Sequence, residues 1–157
     1  MSRSRPPVVV WRSSVVRAPR ERVWARVVTA EGVADELGPL LTMRFPAALE
    51  GASIAQVPLG VTVGRAWLRL AGLVPVEYDD LLIVDLEEPR FFQERSRLGS
   101  CRVWEHRREL EALPDGTTRV TDLLRAVPRA PLPRLLVRLI VGALFTHRHR
   151  RLARHFE

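Results

Sequence analysis

The chain has 157 residues, 46% hydrophobic and 27% charged, a composition that supports one folded domain over residues 1–157 and excludes a disordered or repeat-built chain. Its 25 basic residues against 18 acidic ones give a formal charge of +7, yet every basic residue is Arg and neither Lys nor Asn occurs. A GC-rich coding sequence produces that bias, so the basic balance alone does not imply a polyanionic partner. One cysteine, Cys101, excludes an internal disulfide and any multi-cysteine zinc or iron–sulfur site, which fits a reducing cytoplasm.

The opening MSRSRPPVVVWRSS holds only a short apolar run before Arg12, so no targeting segment is expected. Val8 to Arg17 is rich in β-branched residues and reads as a strand stopped by Ala18-Pro19. Pro19 suits a helix start, and Val23, Trp24, Val27 and Val28 recur at helical spacing to about Ala30. A second short helix, about Glu31 to Leu41, ends where Gly38-Pro39 breaks it. From Leu59 to Pro75 helical and strand periodicities both fit, and a short helix is expected. Leu81 to Leu86 reads as a strand. Arg90 to Leu98, Arg102 to Leu113 and Thr118 to Val127 then alternate cleanly and form an antiparallel meander.

After Pro131 and Pro133 one helix is expected to run to about Phe156. Its apolar positions Leu135, Leu136, Leu139, Ile140, Ala143 and Leu144 exceed a narrow stripe, so its first half should be buried on more than one side by a curved sheet. The apolar stretch Leu135 to Phe145 contains Arg138 and falls short of the ~20 residues that span a bilayer. A soluble, cytoplasmic chain is expected.

Alternation assigns faces on the meander. Phe92, Glu94, Ser96 and Leu98 share the inner side with Trp104, His106, Arg108, Leu110, Val120, Asp122, Leu124 and Ala126. Facing residues must share a side of the sheet, so parity selects the register. A three-residue loop Pro114-Asp115-Gly116 puts Arg108 opposite Asp122, whereas a two-residue loop would oppose Glu109 and Asp122. A Gly99-Ser100-Cys101 loop likewise puts Glu94 opposite His106 and Ser96 opposite Trp104. The outcome is an inward row of Glu94, His106, Arg108 and Asp122.

A row of this kind has two readings. In one it is a satisfied network that sets strand register. In the other, His106 poised by Glu94 is an acid or base, and Arg108 anchors a carboxylate, phosphate or enolate. His147 and His149 lie two apart on a helix and point about 200° apart, so no metal pair is read there. No cofactor signature is present. Arg97 and Arg102 near Cys101 would favour its thiolate, but no partner base is apparent. Residues 129–157 carry seven arginines against a single acid. Arg148, Arg150, Arg151 and Arg154 there are expected to lie outside any cavity and at most to adsorb weakly to anionic membranes. Nucleic acid is not an expected partner, since no aromatic platform is interleaved with these arginines.

Four segments carry a resemblance: VVRAPRERVW at 15–24, GLVPVEYDDL at 72–81, WEHRREL at 104–110 and RLLVRLIVGALFTHRHRRLARHF at 134–156. With the element order, they make the chain resemble the START-like helix-grip superfamily (SRPBCC), which includes polyketide cyclases/dehydrases and bacterial lipid-binding proteins. The resemblance implies an α+β helix-grip fold: a curved antiparallel sheet wrapped around a long C-terminal helix, with two short helices after the first strand. It also implies an apolar cavity between sheet and helix for a hydrophobic small molecule, such as a lipid, polyketide or isoprenoid-like compound. The residues expected to meet that ligand are Phe92, Glu94, Ser96, Trp104, His106, Arg108, Asp122, Leu124 and Leu139. A non-catalytic binder is the first expectation. A cyclase or dehydratase using His106, with Glu94, is the alternative, and docking through the arginine-rich helix end is a third.

Overall fold

A computed structural model of the chain describes residues 5–157; residues 1–4 of the opening segment lie outside the described residues. Strand β1 (Val8–Val16) leads into α1 (Arg20–Val27) and α2 (Ala30–Leu37), followed by β2 (Leu41–Arg44) and two 3-10 turns. Strands β3 (Gly64–Leu70), β4 (Val74–Leu81), β5 (Ile83–Glu87), β6 (Phe91–Leu98), β7 (Cys101–Ala112) and β8 (Thr118–Pro128) precede the long helix α3 (Arg134–His155). The strands form one antiparallel sheet in the order β1-β8-β7-β6-β4-β3-β2, with β5 also paired to β6. This is the helix-grip arrangement, with α3 laid across the concave face and the two short helices after β1 closing its lower part.

Local chemistry accounts for the elements. Pro19 caps α1, where its missing N–H costs nothing. Thr29 caps α2 by accepting from Gly32 N at 3.0 Å. Gly32 is required there, because a Cβ would lie 1.9 Å from the Arg26 carbonyl oxygen. At the β7–β8 turn Gly116 has φ 81°, and Leu113 N donates to Thr117 O at 2.9 Å. Arg108 consequently pairs with Asp122 and Leu110 with Val120. Glu94 pairs with His106 and Ser96 with Trp104, the register that a Gly99-Ser100-Cys101 loop sets, and on the other side of β7 the β7–β8 ladder shifts register between Cys101 and Val103.

Two expectations fail. Residues 59–75 hold no helix: they form β3 and the turn into β4, closed by Ala71 and Gly72 at φ 48° and 74°. A helix cannot contain two successive left-handed residues, so the period-two pattern prevails. Ala66 faces inward, and Trp67 faces outward against Tyr78 of the neighbouring strand at 5.4 Å. The second failure is α3. Its first half is one-sided, with Leu135, Leu136, Leu139 and Ile140 exposed and Val137 buried, because the sheet does not curl around the helix's outer side.

The core has two parts. Trp24 and Val27 of α1 and Leu37 of α2 cluster with Phe92, Leu110, Val120 and Leu152. Val8, Val10, Leu124, Val137 and Phe145 pack where α3 meets β1 and β8. There α3 approaches β1 at Gly142, where a Cβ would lie 2.4 Å from the Arg12 guanidinium. Among the described residues no helix is long and apolar enough to cross a membrane.

Candidate functional site

A cavity of about 390 Å³ lies between the concave sheet, α2 and α3. Leu37, Ile54, Leu81, Phe92, Trp104, Val141, Leu144 and Phe145 supply most of its wall. Its deep polar groups are Asp79, Glu94, His106 and Arg148, and Glu77, Ser100 and Cys101 lie with Leu98 and Pro128 around one part of the lining.

Behind that wall is a buried ionic layer. The Arg108 guanidinium is fully buried; it donates to Asp122 Oδ1 at 2.8 Å and Oδ2 at 2.7 Å, and to Glu36 Oε1 at 2.7 Å. Glu36 also accepts from Arg148 Nε at 3.0 Å, so one carboxylate of α2 ties β7 to α3. Asp122 further accepts from His106 Nε2 at 2.7 Å and His149 Nε2 at 2.8 Å, while His149 Nδ1 lies 2.6 Å from Ser14 Oγ. On its other side, His106 Nδ1 lies 3.7 Å from Glu94 Oε2, and Ser96 Oγ donates to Glu94 Oε1 at 2.7 Å. Phe92 and Phe145 meet the His106 ring at their edges, 5.7 and 5.1 Å away.

These contacts set the protonation preferences. Burial opposes the Asp122 charge, but Arg108 and His106 outweigh it and hold the carboxyl well below the usual range. Burial likewise opposes the charge of Glu36, and Arg108 and Arg148 keep it below its ordinary value. For His106 burial is outweighed by the nearby Asp122 charge, which raises its pKa and favours the imidazolium. Glu94 is buried too, and the neighbouring His106 and Asp79 keep it on the low side.

Asp79 is the exception. Burial first, and then the neighbouring Glu94 charge, push its carboxyl well above the ordinary value. Its Oδ1 is buried without a donor from the protein. Both causes favour the protonated form of Asp79, on the same cavity wall as Glu94.

The sequence-derived residues separate into layers. Phe92, Glu94, Trp104 and His106 line the cavity. Ser96 is buried beneath Glu94, and Arg108 and Asp122 lie fully buried behind the wall with their polar groups used up by the protein. Leu124 is spent in the core against Val10 and Phe145. Leu139 is 60% exposed on the outer side of α3, since residues 137, 141 and 144 take the inward positions. The terminal arginines do not act as one outer cluster: Arg148 is buried on Glu36 and lines the cavity, and Arg151 bonds Asp35 at 2.8 Å. Burial raises the Cys101 thiol, against the thiolate expectation.

Glu36, Asp79, Arg148 and His149 were not foreseen as site residues. Helical spacing held the signal for two of them, because Phe145, Arg148, His149 and Leu152 fall on one stripe and all four are buried. Asp79 shares strand parity with the buried Leu81. Glu36 likewise falls on the helical stripe of the buried Gly32, Val33 and Leu37 in α2. Among the described residues no three His, Cys, Asp or Glu side chains are arranged to hold a metal ion.

A family model described as a domain of unknown function, DUF8410, matches residues 14–156. No curated protein matches the chain in sequence. Solved structures share its fold. A protein from Chromobacterium violaceum is 16% identical, with 96% of this chain and 99% of that one covered at a TM-score of 0.72. A START superfamily protein from Mycobacterium smegmatis is 14% identical over 94% and 96% of the two chains, at a TM-score of 0.69. The Zhui aromatase/cyclase from a Streptomyces species is 15% identical over 94% and 92%, at a TM-score of 0.65. The fold is therefore START-like.

Proposed function

The chain belongs to the DUF8410 family, and from that membership and the START-like fold we propose that it is a single ligand-binding domain that holds a hydrophobic small molecule between sheet and α3. One observation carries the reading: an apolar-walled cavity of about 390 Å³ with a few polar groups in its lining. A lipid, polyketide or isoprenoid-like molecule fits that description, its apolar body against Leu37, Phe92, Trp104 and Leu144 and a polar group toward Asp79, Glu94 and Arg148. Arg108 and Asp122 support the wall and do not touch the ligand.

Saturable binding of the apolar dye Nile red, read by its emission, tests this. Val141→Trp places an indole in the cavity and is expected to abolish saturable binding, whereas Leu139→Glu on the outer side leaves it unchanged. Equal affinity in wild type and Val141→Trp would overturn the reading. Native mass spectrometry of protein purified from its own host is expected to show a co-purifying hydrophobic ligand.

A second reading is an enzyme of cyclase or dehydratase type, favoured by two carboxyls on one cavity wall whose pKa values are pushed apart, Asp79 upward and Glu94 downward, as an acid and a base require. His106, clamped between Glu94 and Asp122, then serves to position Glu94. Asp79→Asn with retained ligand affinity and lost turnover supports the enzyme, and loss of affinity alone supports the binder.

A further inference from the structure

Leu132, Leu135, Leu136, Leu139 and Ile140 are 43% to 66% exposed. The last four align by helical spacing in one ridge along the start of α3, and Leu132 lies just before the helix. Such alignment ordinarily marks a core-facing side, and a contiguous exposed apolar ridge marks an interaction surface.

A second feature adjoins the ridge. Leu139 also borders a depression lined by Arg12, Arg138, Arg150, Ala143, Thr146 and His147, with no acidic side chain among them. Arg12 is held in place, its Nε donating to Thr146 Oγ1 at 3.0 Å and its Nη1 to the Trp11 carbonyl at 2.8 Å. Arg138 and Arg150 are exposed, and α3 contains no Asp or Glu.

Apolar ridge and basic depression together select the occupant. In a symmetric pair of copies the ridge would meet itself and bring the arginines of both copies close, an unfavourable like-charge contact. An anionic bilayer offers hydrocarbon to the leucines and phosphate to the arginines at once. We propose that the first half of α3 docks on an anionic membrane surface, with the leucine ridge at the acyl boundary and Arg12, Arg138 and Arg150 on lipid phosphates. Leu132 and Ile140 also line the cavity, so docking would set its rim against the hydrocarbon layer. That consequence rests on the ligand-binding reading; docking itself does not.

Flotation with phosphatidylcholine vesicles, with and without phosphatidylglycerol, tests the docking without any ligand. Wild-type protein is expected to float with the phosphatidylglycerol vesicles at low salt, less so at higher salt, and little with phosphatidylcholine alone. Leu135→Glu together with Leu139→Glu is expected to abolish flotation. Arg138→Gln together with Arg150→Gln is expected to weaken partitioning on the order of thirty-fold, at ~1 kcal/mol for each basic residue. These side chains are exposed, so an unchanged urea midpoint is expected in each variant and separates lost docking from lost folding. Failure of wild type to float, or equal flotation of the Leu135/Leu139 variant, overturns the proposal. A wild-type dimer that the same leucine changes dissociate also overturns it, by assigning the ridge to a second copy.

Discussion

Replacing Arg108 probes the ionic layer most directly. Its guanidinium is fully buried and gives two hydrogen bonds to Asp122 and one to Glu36, all between 2.7 and 2.8 Å. Arg108→Leu leaves both carboxylates short of a donor where water does not reach, and breaking a buried pair from one side costs ~3 to 5 kcal/mol. The remaining bonds, from His106 and His149 to Asp122 and from Arg148 to Glu36, keep the loss inside that range. Asp122→Leu has a comparable cost, since it strips Arg108, His106 and His149 of one shared acceptor. With both replaced by Leu, Glu36 still pairs with Arg148 and His106 still faces Glu94, so the double variant should be less destabilised than the two single losses added, by ~1 to 3 kcal/mol. Urea unfolding at neutral pH, compared at equal m-values, measures the cycle. Additivity within ~0.5 kcal/mol would refute the coupling. The pH dependence has a fixed sign. Folding depresses the Asp122 pKa, so its contribution is present above the unfolded value near ~4 and is lost as pH falls through the folded value. The difference between wild type and Asp122→Leu should therefore shrink in acid.

Three further outcomes are expected. Folding raises the Asp79 pKa above its unfolded value near ~4, so wild-type stability falls as pH rises from that value toward the folded one; Asp79→Asn removes the dependence and should gain on wild type with rising pH, and parallel unfolding profiles would contradict this. Gly32→Ala would improve helix propensity by ~1 kcal/mol in an open site, yet its Cβ would collide with backbone at Arg26, so a net loss of ~1 to 3 kcal/mol is expected in urea melts, and a stabilised variant would show that the α1–α2 junction is misread. Deleting residues 133–157 removes Phe145 and Leu152 from the two cores and Arg148 and His149 from the ionic layer; circular dichroism should show no cooperative unfolding, and a cooperative transition would contradict the role of α3.

The β7–β8 pairing was readable from the chain because side-chain alternation and the Gly116 turn are properties of adjacent residues. Residues 59–75 were not, since Val63, Trp67, Leu70, Ala71 and Val74 satisfy a helical stripe as well as a strand, and the pairing of β3 with β2 and β4, with the turn at Ala71 and Gly72, decided it. The candidate site divides in the same way. Phe92, Glu94, Trp104 and His106 follow from strand parity and lie on the cavity wall. Leu139 was assigned from hydrophobicity alone, and the angular position of α3 on the sheet turned it outward.

By itself the sequence determined which strand residues share a face, where the meander turns and where the last helix begins, because each depends on periods and turn residues within a few positions. Only the tertiary structure decided what those residues do. Glu36 reaches Arg108 across 72 positions and Arg148 across 112, and Asp79 and Glu94 come to one wall from the paired strands β4 and β6. Which acid meets which cation depends on how α2 and α3 cross the sheet, and that crossing is a property of the packed layers, absent from any local stretch of the chain.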